Sequence, residues 1–222
     1  IFAELYRKLG STDDEIMSIH ISSGLSGTID SARLGIQNVP HRIIHLVDAM
    51  TLSGGERFQV LAAAFAARAG KSKEFVLDRL AKIRESTEVV YTLETLEYLQ
   101  RGGRIGRVQA LAGMLLKIKP IIHVDKKDGK YTTLGKERTV PKALETITEH
   151  ITEKYGNQVP LWVTVLHGRF ADQADRLATM MREKVNVAKL EILRISPVLG
   201  VHTGPGIVGL AVVPMELMEG LE

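Results

Sequence analysis

Short apolar runs alternate with longer amphipathic stretches along the first part of this chain, and that alternation most restricts what it can fold into. Met17–Ile21 (MSIHI) and Arg42–Val47 (RIIHLV) have the length and branched character of buried strands. Each gives way to a loop rich in Ser, Thr and Gly, and then to helical periodicity. The helices are expected over Thr28–Gln37 after the first loop and Gly55–Ala69 after the second, with another over Lys73–Ser86. Strand, crossover helix, strand is the pattern of a parallel α/β layer.

The later part reads differently. Glu88–Thr92 is a strand, Leu93–Gln100 a short helix and Val108–Met114 a further helical stretch. Leu116–Asp125 and Lys130–Glu137 flank Lys127-Asp128-Gly129, a hairpin turn signal. Thr139–Tyr155 is a long helix capped by Thr139. Leu161–Leu166, Ala171–Lys184, Leu190–Ile195 and Ile207–Val213 follow as strand, helix, strand and strand. A hairpin within a strand–helix alternation predicts a mixed sheet covered by helices. The expected architecture is therefore α/β in two closely packed lobes. Residues 1–86 form the parallel-sheet lobe and residues 87–222 the mixed-sheet lobe. No Pro- or Gly-rich linker separates them, so a cleft between them is the natural ligand site.

Composition excludes several classes. The 222 residues contain no cysteine, which removes disulfides, thiol catalysis and cysteine-held zinc, and fits a reducing, cytoplasmic setting. The formal net charge of +3 is too small to imply nucleic acid. No apolar run reaches the ~18 residues of a membrane span. No acidic cluster accompanies His20, His41, His45, His123, His150 or His167, which argues against a metal site. The chain opens IFAELYRKLG, without Met and already in helical rhythm through Phe2, Leu5, Tyr6 and Leu9, as expected of a sequence that lacks its true N-terminus.

Four segments carry chemistry. Ser22-Ser23-Gly24-Leu25-Ser26-Gly27-Thr28 stands where a strand hands over to a helix. Free amides there, with the hydroxyls of Ser22, Ser23, Ser26 and Thr28, suit a carboxylate or phosphate; a capped turn without a ligand is the alternative. The sequence GLSGT lacks the last glycine of a nucleophile elbow. Asp48–Glu56 (DAMTLSGGE) follows the second strand on the same sheet edge. Thr51 and Ser53 can donate to the same anion, or Ser53 can cap the next helix. Arg101-Gly102-Gly103-Arg104-Ile105-Gly106-Arg107 offers bidentate cations on a close-approaching backbone, for docking or phosphate handling, against a solvated loop as the alternative. In Gly200-Val201-His202-Thr203-Gly204-Pro205-Gly206, His202 and Thr203 sit in a glycine- and proline-rich turn, where His202 can donate to an anion or act as acid or base.

Taken in order, ISSGLSGTIDSA, VDAMTLSGGE, LETLEYLQRGGRIG, GKERT and GVHTGPGIVG resemble the successive signature segments of the DegV family, over nearly all of Leu5–Val213. The resemblance implies two α/β lobes with a long-chain fatty acid buried between them. It implies no cofactor and no catalysis by this chain alone. Family members serve as the lipid-binding subunit of bacterial fatty acid kinase, in which a separate ATP-dependent kinase subunit phosphorylates the carboxylate. Matched by motif, Ser22 or Ser23 and His202 are headgroup ligands, with Ser26, Thr28, Thr51 and Thr203 in the same loops. Arg101 or Arg104 lies in the region that meets the kinase. The family's opening strand and a Thr/Ser headgroup motif fall before this chain's start. Stripes such as Leu111, Met114, Leu115 and Ile118 are candidates for the tunnel wall. The rival readings are a free-standing hydrolase or transferase on acyl esters or acyl phosphates through Ser26 and His202, and an RNA-associated protein through the arginine loop.

Overall fold

A computed structural model describes residues 1–11, 13–109 and 118–220. Its first part holds helix α1 (Phe2–Lys8), strand β1 (Ile16–His20), helix α2 (Thr28–Gln37) and strand β2 (Ile44–Asp48), followed by helices α3 (Ser53–Arg68) and α4 (Lys73–Ser86). β1 and β2 pair in parallel, in register from Ile16 with Ile44 to His20 with Asp48.

The second part holds β3 (Glu88–Leu93), α5 (Glu97–Arg101), β4 (Lys119–Val124), β5 (Tyr131–Glu137) and α6 (Val140–Tyr155). It continues with β6 (Leu161–His167), α7 (Ala171–Lys184), β7 (Val187–Arg194), α8 (Pro197–Thr203) and β8 (Ile207–Pro214). The six strands order as β5-β4-β3-β8-β6-β7, with only the β6–β7 pair parallel. The fold is thus α/β with a two-stranded parallel sheet and a six-stranded mixed one, as the alternation in the sequence predicts.

Local chemistry explains the element ends. Thr139 accepts a hydrogen bond from the Lys142 amide, Pro141 lies in the first turn, and Gly156 at φ 63° stops the helix. Ala143, Leu144, Ile147 and Ile151 form one buried stripe along α6. The β4–β5 turn carries Gly129 at φ 64°, the left-handed conformation the hairpin signal calls for.

Three expectations are corrected. His202 and Thr203 do not lie in a bare turn but in the last turn of α8. Ser196 caps that helix by accepting from the Leu199 amide, Pro197 opens it, and Gly204 at φ 80° ends it. Ser53 does not cap α3: Leu52 holds that position, with no side-chain cap bond. Leu93 belongs to β3, so the short helix begins only at Glu97. Of the Val108–Met114 helix, only its first two residues are described, with Gly106–Val108 a 3₁₀ turn. Leu111, Met114 and Leu115 lie outside the described residues.

Helix α3 packs against both sheets, touching β1 on one side and β3 and β8 on the other. One apolar core lies between the six-stranded sheet and α3 and α4, around Phe58, Ile83 and Leu93. A second lies on the opposite face under α6 and α7, around Leu144, Ile147, Val163 and Leu177. The loops after β1 and β2 open at the α3 side, where the chain leaves room.

Candidate ligand cleft

A cavity of about 360 Å³ lies between the two sheets, within the roughly 300–1,000 Å³ of small-molecule sites. Its apolar wall is Ile21, Leu25, Leu52, Leu166, Leu193, Ile195, Val198 and Leu199. A narrow apolar extension continues inward past Val89, Tyr91, Ile207 and Gly209, sharing Leu52, Leu166, Ile195 and Leu199 with the main cavity. Polar groups gather around the rest of the cavity wall: Ser26, Ser53, Glu56, Arg57, Arg104, Tyr131, Arg194, Ser196 and His202.

Outside lies a second, wetter chamber of about 570 Å³, walled by Ser23, Gly24, Ser26, Gly27, Gly103, Arg104, Gly106, Arg107 and Lys130. It shares Leu25, Ser26, Arg104 and Tyr131 with the cavity. Two close approaches shape this mouth. A Cβ on Gly24 would stand 2.4 Å from the Asp128 carbonyl oxygen, so only glycine lets the loop after β1 rest on the β4–β5 turn. A Cβ on Gly102 would stand 2.6 Å from His202 Nδ1, so the arginine loop presses on the imidazole.

The expected site residues separate into those that line the cleft and those whose hydroxyls also hold the surrounding turns and helices. Ser26, Arg104 and His202 line the cavity, and Ser23 lines the outer chamber. His202 Nδ1 is buried and has no hydrogen-bond partner among the described residues. Ser22 is fully buried: its Oγ accepts from the Gly24 amide at 3.1 Å, and its own amide donates to the Thr51 carbonyl at 2.8 Å. That hydroxyl holds the turn. The Thr28 and Ser26 hydroxyls bond each other at 2.8 Å. Thr51 is buried beside Gly55, and the Thr203 hydroxyl donates to the Leu199 carbonyl at 2.9 Å, pinning α8. Arg101 is solvent-facing and paired with Glu97 at 2.5 Å.

Sequence reasoning passed over Glu56, Tyr131, Arg194 and Lys130. Glu56, in the first turn of α3, reads as an ordinary partner of the helix dipole. In the fold it faces the cavity; burial pushes its carboxyl up to about 7, against the opposing pull of the Ile21 amide that donates to it. It forms no ion pair among the described residues. Its neighbour Arg57 is taken by Glu191, with guanidinium-to-carboxylate contacts of 2.7 and 3.1 Å. No helix among the described residues is long and apolar enough to cross a membrane.

Comparison with known proteins agrees with this architecture. A family model described as "Uncharacterised protein, DegV family" matches residues 1–215. A DegV domain-containing protein of Deinococcus radiodurans is 40% identical over 200 residues, covering 90% of this chain and 69% of that relative. One from Clostridium perfringens is 38% identical, covering 89% and 69%. Among solved structures, a fatty-acid-binding DegV family protein from Thermus thermophilus superposes with a TM-score of 0.89 at 32% identity, over 96% of this chain and 75% of that one. DegV of Bacillus subtilis, a fatty acid binding protein, gives 0.84 at 29% identity, over 96% and 75%.

Proposed function

The chain belongs to the DegV family, and from that premise we propose that it is a cytoplasmic carrier which buries one long-chain fatty acid in the inter-sheet cavity. It presents the carboxylate at the mouth to a separate ATP-dependent kinase subunit, which converts it to an acyl phosphate. The observation that carries this reading is the polarity gradient of the cleft: an apolar extension inside, and Ser26, His202 and Arg104 on the walls of the cavity they share with it.

The energetics follow that gradient. Each buried methylene contributes about 0.8 kcal/mol, so a long tail supplies on the order of 10 kcal/mol before ordering costs. Headgroup hydrogen bonds, about 0.5–3 kcal/mol each, fix orientation. The His202 imidazole and the Ser26 hydroxyl on the cavity wall, with the Ser23 hydroxyl in the outer chamber, supply the donors in this reading. The exposed arginine loop, through Arg101 and Arg104, is the docking element for the kinase.

A free-standing hydrolase or transferase would need Ser26 activated by a base within hydrogen-bond reach. The Ser26 hydroxyl is bonded to Thr28, and no bond to His202 exists among the described residues. Mass spectrometry of the protein as purified from bacteria, native and then denatured, tests the carrier reading. A released mass matching a long-chain fatty acid is expected, with no turnover of acyl esters or acyl phosphates by the chain alone. A ligand-free protein, even after incubation with fatty acids, would overturn it.

A further inference from the structure

The wall of the inner cavity carries more polar side chains than the head of a fatty acid can use. On the part of that wall which the outer chamber does not share stand Ser53, Glu56, Arg57, Arg194, Ser196 and His202. Three of these are already engaged. Arg57 is held by Glu191, Ser196 caps α8, and His202 serves the headgroup in the reading above. Of the rest, Arg194 is exposed and meets water, whereas Ser53 and Glu56 are half-buried.

Ser53 and Glu56 belong to the first turn of α3, at the i, i+3 spacing that sets two side chains side by side. Ser53 also lines the narrow inner extension, so the pair stands along the path of a tail. Among the described residues the Ser53 hydroxyl has no hydrogen-bond partner, and the Glu56 carboxyl has no ion pair and one backbone donor, the Ile21 amide. A saturated tail seated against this pair would exclude water and return no hydrogen bond, which costs free energy. A hydroxyl on the tail reverses that balance, because it donates and accepts at once. It gives its proton to Glu56 as a carboxylate, or accepts from Glu56 as a carboxylic acid, and Ser53 fills the remaining position. With the Glu56 carboxyl pushed up to about 7 by burial, both forms occur near neutral pH. A keto oxygen, which only accepts, would meet Glu56 in one form only.

We propose that Ser53 and Glu56 form a hydroxyl subsite on the tail wall, and that the ligand this chain holds most tightly is a long-chain acid with a hydroxyl on its chain. The inference rests on the fatty-acid reading above and narrows its ligand class. It makes Glu56 a specificity-determining residue, distinct from the groups that meet the carboxylate.

Isothermal titration with octadecanoic acid and a series of its positional monohydroxy isomers tests it. One isomer is expected to bind the wild-type chain about tenfold more tightly than the plain acid, the scale of one hydrogen bond to a charged group. Glu56→Leu is expected to abolish that preference while binding the plain acid at least as well as wild type. Glu56→Gln, which still donates and accepts, is expected to retain most of it, and Ser53→Ala to reduce it. No isomer bound more tightly than the plain acid by the wild-type chain, or a preference that survives Glu56→Leu, would overturn the subsite while leaving the fatty-acid reading standing. Failure of the wild-type chain to bind any of these acids would overturn both.

Discussion

Along β8, the residues turned toward α6 and α7 are Val208, Leu210 and Val212, whereas those turned toward α3 are Ile207, Gly209, Ala211 and Val213. The first set joins a core of mostly branched side chains packed under α6 and α7. In the second set, Gly209 and Ala211 stand where the other face has leucine and valine. Gly54 of α3 seats directly on Ala211, where an added Cβ would come within 2.5 Å. The volume those small residues give up lies beside the inter-sheet cavity and its narrow extension.

Two acids, buried Glu88 on one face and half-buried Glu56 on the other, are treated in opposite ways. On the α6 face, burial pushes the Glu88 carboxyl up, but His150, Lys154 and Lys126 gathered around it outweigh that and hold it well below the usual carboxylate range. On the α3 face, Glu56 has burial without a cation and moves the other way, to about 7. One face is optimised for closure, while the other tolerates an uncompensated group in exchange for space, a common pattern where function competes with stability.

The sharpest way to break this contrast is to damage the closed face and look for an effect on the ligand. Ile147→Ala removes a fully buried side chain from the α6 core. It should cost about 2–5 kcal/mol of stability in urea unfolding, with fatty-acid affinity unchanged in the fraction still folded. A parallel loss of affinity would show the two faces to be coupled. Glu88→Gln should cost about 3 kcal/mol, since it leaves Lys126 and Lys154 without their counter-charge. Because the Glu88 carboxyl is depressed in the folded protein, its contribution is complete above the ordinary carboxylate range and is lost on acidification through its folded value. The wild-type and variant melting curves should therefore converge at low pH; a constant gap would contradict the pairing.

The smallest effect is expected on the open face. Glu56 is raised in the folded state, so its ionisation destabilises, and wild-type stability should decline as pH rises from about 4.5 through 7. Glu56→Gln should therefore stabilise by about 1–2 kcal/mol at pH 8 and by nothing at pH 4, a partial share of the ~1.4 kcal/mol per pH unit that full burial would give. A melting temperature at pH 8 that does not rise would mean the cavity wall solvates that carboxyl after all.

Much of this contrast was written in local signals. The α2 helix runs over the residues its periodicity indicates, the hairpin turns at Gly129, and Thr139 caps α6. Ser26, Arg104 and His202 were legible because hydroxyl, guanidinium and imidazole groups in glycine-rich loops leave few structural uses. Glu56 and Lys130 were not, since a glutamate in a first helical turn and a lysine flanking a β-turn are ordinary there. Only the approach of distant segments makes one a wall of the cavity and the other a wall of the outer chamber. For Ser22, the hydrogen bond that its hydroxyl accepts from the Gly24 amide lies in a turn that the sequence suggests but whose bonds it does not assign.

The last strand among the described residues, β8, is a central strand of the six-stranded sheet. β8 lies between β3 and β6, buried along its whole length, and bonds to both. During synthesis, the β5-β4-β3 and β6-β7 groups emerge first, each with an open edge. They cannot be joined until residues 207–214 leave the ribosome. Between the completion of β7 at Arg194 and the arrival of β8, the nascent chain therefore carries two half-sheets with open edges, a state prone to aggregate. Ile207 and Gly209 of the same strand also line the narrow extension of the cavity, so joining the sheet and completing that wall are one event.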